Sequence, residues 1–287
     1  MSMDNIGIYY IATGDHFVRE AAISAQSVRD TMPDVPIAIA TDVEPKFDFD
    51  YVVDIPDPEH GFVDQIDNLH RSPFDRTLHF DTDIYVGSDV SDLFELLTNC
   101  DIAVAHNHNR EVYDPPGVPD SFPEYNTGVV AYQNDSHLRD FTRAWNENYE
   151  PLVREDNTQN QPSFRKTLYE SDLRIATLPP EYNCMVRYPG HVRNEVKIAH
   201  SRLLDIDTPG ADKSVTVPDA LETLNRYEGH RLYEPNRIRG VSILRRRVPK
   251  DAPLYKKAIN SFRINGLTYT VKNGVPFLLD RLRGKSD

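Results

Sequence analysis

The chain has 287 residues, a formal charge of −13 and 39% hydrophobic residues. That is enough apolar length to bury a sizeable core as one large globular domain, or as one domain plus an extension, which excludes a disordered or fibrous chain. Two cysteines, Cys100 and Cys184, make no disulfide framework, and neither a signal peptide nor an apolar run of about 18 residues is present, so the expected compartment is the cytoplasm.

Residues 5–12 form an apolar run that stops at Thr13-Gly14-Asp15, which predicts a strand and then a turn across which a nucleotide can lie. Residues 17–30 carry apolar or small side chains at 18, 21, 22, 25 and 28, close to helical spacing, and Pro33 ends them. Residues 36–42 are a second strand closing on Thr41-Asp42, and residues 51–55 a short third. Residues 61–72 predict a helix, with Phe62, Ile66 and Leu69 on one face and Arg71 near its end. A strand over 101–106 precedes a proline-rich loop over 110–124. Residues 125–132 resume a strand with Gly128 inside it, which points to close approach by a ligand or a neighbour. Helices follow over 136–149 and from Gln161, where Pro162 suits a first turn, and strands over 174–178 and 196–200. This alternation predicts an α/β fold: a Rossmann-like mixed, mainly parallel sheet flanked by helices. In such sheets the ligand crevice lies beyond the carboxyl ends of the strands, where Thr13, Asp42 and the acidic residues described next are expected to converge.

Residues 76–86 hold the chemistry. They read as a buried strand run with Asp81 and Asp83 inside it. Carboxylates in such a place are costly unless a proton, a cationic side chain or a metal compensates them. Spaced i, i+2, both face one site and suit a hard divalent cation that keeps positions for phosphate oxygens and water. A metal-bridged diphosphate is the expected ligand.

The ordered set Thr-Gly-Asp, Ala-Thr-Asp, Ser-Pro-Phe-Asp-Arg-Thr-Leu-His-Phe-Asp-Thr-Asp, Asn-Thr-Gly-Val-Val, Asn-Gln-Pro-Ser-Phe and Ile-Ala-His resembles nucleotide-diphospho-sugar transferases of the GT-A fold, and among them the glycogenin-like retaining families. The resemblance covers residues 5–201. It implies that Asp81 and Asp83 bind a divalent metal, commonly Mn2+ with Mg2+ as the alternative, and that His200 completes its shell. It further implies that Thr13 lies near the nucleotide, that Asn126 and Gln161 face the sugar or the acceptor, and that a UDP-linked hexose is the donor. The chain departs from the pattern in having Asn160 before Gln161 where relatives have Asp. It also has Gln65 and Asp67 on a helix where they have Lys or Arg, which leaves Arg71 as the substitute. Asp120, Glu124 and Asp156 are candidate bases for an inverting reaction. The alternatives are a non-catalytic binding protein of the same fold and a phosphatase of the haloacid-dehalogenase type. Against the phosphatase, Tyr85 stands where that family has Thr or Val, and no Asp-Asp pair follows.

Residues 1–230 carry 18 Lys+Arg against 41 Asp+Glu, and residues 231–287 carry 14 against 4. Asp outnumbers Glu 30 to 15 and Arg outnumbers Lys 23 to 9, a bias that resembles the proteins of salt-loving archaea. The transferase domain is expected over 1–205 and a basic amphipathic extension over 206–287, with Leu254, Ala258 and Phe262 on one helical face and Val275, Phe277, Leu278, Leu279 and Leu282 as a second apolar group. Such a tail suits the anionic inner face of a membrane, near a lipid-linked or glycan acceptor. The acidic body argues against nucleic acid as a partner.

Overall fold

A computed structural model describes residues 5–107, 114–154, 159–201, 217–236, 240–246, 253–259, 261–262, 266–268 and 270–272. The main sheet is built from β1 (Ile6–Ile11), β2 (Ile37–Thr41), β3 (Tyr51–Asp54), β4 (Arg76–Phe80), β6 (Ile102–His106), β7 (Tyr125–Gln133) and β8 (Ile175–Leu178), in the order β3-β2-β1-β4-β7-β6-β8. Every pairing is parallel except those of β7, which runs against both β4 and β6. The sheet is therefore mixed and mainly parallel, as the sequence predicts. From β1 the chain builds outwards through β2 and β3, then returns to lay β4 on the other side of β1. That reversal opens a crevice at the carboxyl ends of β1 and β4.

Both faces of the sheet are covered, which is why its strands read as continuous apolar runs rather than alternating ones. On one face α1 (Asp15–Thr31) buries Val18, Ala21, Ala25 and Val28, the helical stripe read from the sequence, against Ile8, Ile39 and Phe80. On the other, α2 (Phe62–Asn68), α4 (Ser136–Arg154) and α5 (Gln161–Glu170) pack around Trp145, whose ring stands 6.1 Å from that of Phe141 and 4.7 Å from that of Phe164. A short helix, α3 (Asp92–Leu96), follows β5 (Ile84–Val86).

The strand expected to end in the two carboxylates closes at Phe80, and the apolar residues that follow Asp83 form a second strand in another sheet. β4 ends at Phe80, and β5 joins a small sheet in which β11 (Ile198–His200) is central, antiparallel to β5 and parallel to β9 (Cys184–Met185). The break is the turn Asp81-Thr82-Asp83. The Asp81 amide donates to the Gly128 carbonyl at 2.9 Å, the Ile84 amide donates to the Asp81 carbonyl at 3.3 Å, and the Thr82 hydroxyl donates to Glu20 of α1. Holding Thr82 on one side turns the flanking carboxylates to the other.

Residues 217–236 and 240–246, placed by the sequence in the extension, share a core with residues 184–199. Helix α6 (Val217–Asn225) and the hairpin of β12 (Arg231–Asn236) and β13 (Gly240–Arg246) bring Val217, Ala220, Leu224, Tyr233 and Val241 against Cys184, Val192 and Ala199, and β10 (Gly190–Val192) pairs with β12. Beyond them, residues 254–259, 261–262, 266–268 and 270–272 are helical, and the apolar group at 275–282 lies outside the described residues.

The proline-rich loop is irregular over its described part, 114–124, and a buried cation ties it down. Arg165 of α5 donates to Phe122 O at 2.9 Å, to Asp114 Oδ1 at 2.6 Å and to Pro119 O at 3.0 Å. Arg165→Met keeps the aliphatic stem but strands these acceptors, and is expected to lower unfolding free energy by about 3 kcal/mol. Urea unfolding checks this; an unchanged midpoint would mean the loop is held by other contacts.

Candidate metal and donor site

A cleft of about 580 Å³ opens at the crevice, and its lining includes Asp81, Asp83 and His200. Their ligand atoms lie within 4.8 Å of one another, a grouping assembled from residues more than a hundred positions apart in the chain. The β5–β11 pairing makes it, because it sets His200 opposite Ile84, the residue after Asp83. The Ser201 amide then donates to the Asp83 carbonyl at 3.0 Å and fixes the register from the other side.

The orientation of His200 follows from backbone outward. The Gly128 amide donates to Asn126 Oδ1 at 3.0 Å, so the same oxygen accepts from Asn183 Nδ2 at 2.8 Å. Asn183 Oδ1 is thereby left to accept from His200 Nδ1 at 2.9 Å. With the neutral ring's proton on Nδ1, Nε2 presents a lone pair to the cleft, 3.1 Å from Asp83 Oδ1. Two acceptors facing each other need a cation between them or a proton on one. Burial pushes the His200 pKa down, yet the facing Asp83 carboxylate, and Asp81 behind it, hold it above the usual histidine range. A divalent ion satisfies the same demand, and two carboxylate oxygens with one imidazole nitrogen are a donor set that Mn2+ accepts. The residues present therefore fit a metal.

Gly128 is the strand glycine that the sequence flags, and the neighbour that approaches it is the His200 ring. A Cβ at position 128 would lie 2.4 Å from His200 Cε1 and 3.0 Å from Asn126 Oδ1. Gly128→Ala is expected to displace the imidazole and weaken Mn2+ binding by about 10-fold or more, the scale on which ligand orientation acts. Calorimetric titration with Mn2+ reads this directly, and parental affinity would show that the ring can yield without leaving the site.

Of the other expected residues, Thr13, Asn126 and Gln161 line the cleft. Thr13 donates to Asp64 Oδ2 at 2.8 Å, and Asp42 accepts the Gly14 amide at 2.7 Å, so Asp42 shapes the β1–α1 turn without itself lining the cleft. Arg71 is not brought to the cleft: it is spent on Asn68 Oδ1 at 2.6 Å and the Asp54 carbonyl at 2.8 Å. The cation that does line it is Arg187, exposed, with its guanidinium 5.4 Å from the centre of the Tyr188 ring. Nothing in the sequence singles out Arg187, a lone arginine two residues beyond a strand of two. Glu124 is the one of the three candidate bases that lines the cleft; it is buried and accepts from Asn107 Nδ2 at 2.7 Å. Asp120 is exposed away from the cleft, and Asp156 lies outside the described residues.

No protein-family model and no curated protein matches the sequence. Solved structures of glycosyltransferases do match. The galactosyltransferase LgtC in complex with donor and acceptor sugar analogs is 15% identical over 62% of this chain and 75% of that one, with a TM-score of 0.46. An active-site mutant of LgtC is 14% identical over 72% and 93%, with a TM-score of 0.49. The glycosyltransferase GlyE of Streptococcus pneumoniae TIGR4 is 16% identical over 63% of this chain and 48% of its own length, with a TM-score of 0.48, so the chain spans about half of it.

Proposed function

We propose that this chain is a metal-dependent glycosyltransferase that moves a hexose from a nucleoside diphosphate, UDP in the first instance, to an acceptor hydroxyl on a glycan or a lipid-linked sugar. The observation that carries the reading is the convergence of Asp81, Asp83 and His200 in a cleft at the carboxyl ends of the parallel strands. Asp81, Asp83 and His200 hold the ion, Mn2+ in this reading. When bound, the metal supplies positive charge that stabilises the departing diphosphate. Arg187 adds a second positive charge at the lip of the same cleft. The β1–α1 turn around Thr13, held by Asp64 and Asp42, receives the nucleoside. Asn126, whose Oδ1 accepts from the Gly128 amide and from Asn183, and Gln161 both line the cleft and are the amides assigned to the sugar. Glu124 is the carboxylate placed to hydrogen-bond a hydroxyl or take its proton.

A thermal-shift panel of nucleotide sugars with and without Mn2+ tests the reading, because a ligand that binds only the folded state raises the melting temperature. A UDP-hexose is expected to stabilise the protein only with Mn2+ present, and the stabilising donor to be hydrolysed slowly without acceptor. A guanosine donor as the sole hit overturns the choice of base. Release of phosphate from monoesters, without turnover of any nucleotide sugar, overturns the transferase. We assign the basic tail to an anionic membrane surface.

A further inference from the structure

A buried polar relay behind the site is not used by the chemistry above. His79, in the middle of β4 and 1% exposed, has Nδ1 at 3.1 Å from the Tyr9 carbonyl oxygen. A carbonyl only accepts, so the ring proton sits on Nδ1 and Nε2 carries a lone pair. The amide nitrogen of Gln65 lies 2.7 Å from that Nε2 and donates to it. This fixes which end of Gln65 faces β4, and its other end agrees: Oε1 accepts from Asn160 Nδ2 at 2.5 Å, while Asn160 Oδ1 accepts from the Thr127 hydroxyl at 3.3 Å. The second hydrogen on Gln65 Nε2 is shared by the Thr127 carbonyl and Asp81 Oδ1, each 3.2 Å away. His79 Nε2 is itself 3.6 Å from Asp81 Oδ1, but with a lone pair there the two do not form an ion pair, and the Gln65 nitrogen is the donor to both.

We propose that Gln65 is a positioning residue for the metal ligand Asp81. Its amide hydrogen, aimed by His79 from one side and Asn160 from the other, engages Asp81 Oδ1 and turns the carboxylate so that Oδ2 faces the ion. The relay is neutral throughout, so it orients the ligand without adding a positive charge that would oppose the metal. It gives the buried His79 of β4 a role. It also joins the two departures from the resembled pattern, Gln65 and Asn160, into one hydrogen-bonded pair. The inference rests on the metal site proposed above.

The test is Mn2+ affinity, measured by electron paramagnetic resonance titration of full-length protein without nucleotide, for the parent, Gln65→Met and His79→Leu. Gln65→Met keeps the length and packing of the side chain and removes the amide. It is expected to weaken Mn2+ binding about 10- to 100-fold, as loss of a group supporting a metal ligand does. His79→Leu leaves Gln65 in place without its orienting acceptor, is expected to weaken binding less, and keeps the test decisive should Gln65→Met fail to fold. A merely structural role would lower the melting temperature and leave Mn2+ affinity alone. Affinity within twofold of the parent in either folded variant overturns the role of Gln65. A parent that binds no Mn2+ overturns the metal site itself.

Discussion

Asp83→Ala is expected to abolish metal-dependent donor binding and to leave the protein folded. Asp83 is buried and offers one of the three candidate ligand atoms, so in the proposed site its loss removes a charge as well as a bond. The effect should exceed the roughly 10- to 100-fold that changes behind a ligand produce. Its backbone work survives the substitution, because the hydrogen bond from the Ser201 amide ends on the carbonyl of residue 83 and the β5–β11 register does not use the side chain. Removing the carboxylate also takes away the nearest charge that raises the His200 pKa against the lowering effect of burial, and with it the facing acceptor that demands a proton there. The melting temperature of the metal-free variant should therefore stay near that of the parent while the stabilisation by Mn2+ with a nucleoside diphosphate disappears. Calorimetry decides: a variant that binds metal and nucleoside diphosphate as tightly as the parent sinks the assignment of Asp83. Retained metal binding after His200→Ala would remove only the third ligand.

Much of this architecture was legible because its causes are local. The main-sheet strands between helical layers are apolar on both faces, and the helix over 15–31 shows its buried stripe at regular spacing. What periodicity cannot show is which sheet a strand joins. Residues 76–80 and 84–86 are equally apolar, and only the pairing of β5 with β11, set by residues 198–200, shows that the chain leaves the main sheet at Asp81. Gln65 and Asn160 are 95 positions apart and each looks like an isolated departure; their partnership is a fact of three dimensions. Arg187 has no sequence signal because a single cation becomes meaningful only through the cavity it lines. Arg71 was the reverse case: a cation at a helix end that serves the neighbouring backbone instead of a ligand.

The basic tail is expected to bind anionic vesicles through side chains that the fold leaves bare. Tyr255, Phe262 and Leu267 are 63%, 50% and 64% exposed, and Ile259 and Val271 are exposed beside them. None of these five belongs to a hydrophobic core of the described residues. Among the described residues no helix is long and apolar enough to cross a membrane. Residues 247–287, beyond the core shared with residues 184–199, carry 9 Lys+Arg against 3 Asp+Glu, including Lys256, Lys257 and Lys272 within the helical turns, and each cation near an anionic surface contributes on the order of 1 kcal/mol. The acidic body, with 18 against 41 over residues 1–230, would be held away from that surface, which gives the contact a direction. Cutting the chain at 230 is not the right comparison, since it would remove Tyr233 and Val241 from the core they share with Cys184. The double substitution Phe262→Asp with Leu267→Asp alters two exposed positions instead. Inserting an exposed apolar side chain of this size is worth about 1.5–3 kcal/mol, so the variant's partition onto vesicles containing phosphatidylserine is expected to fall about 100-fold or more at moderate salt. Raising the salt should weaken the parent's binding through its cationic part and leave the apolar part in place. Equal flotation of parent and variant, or flotation of neither, would mean that this face is not a membrane contact.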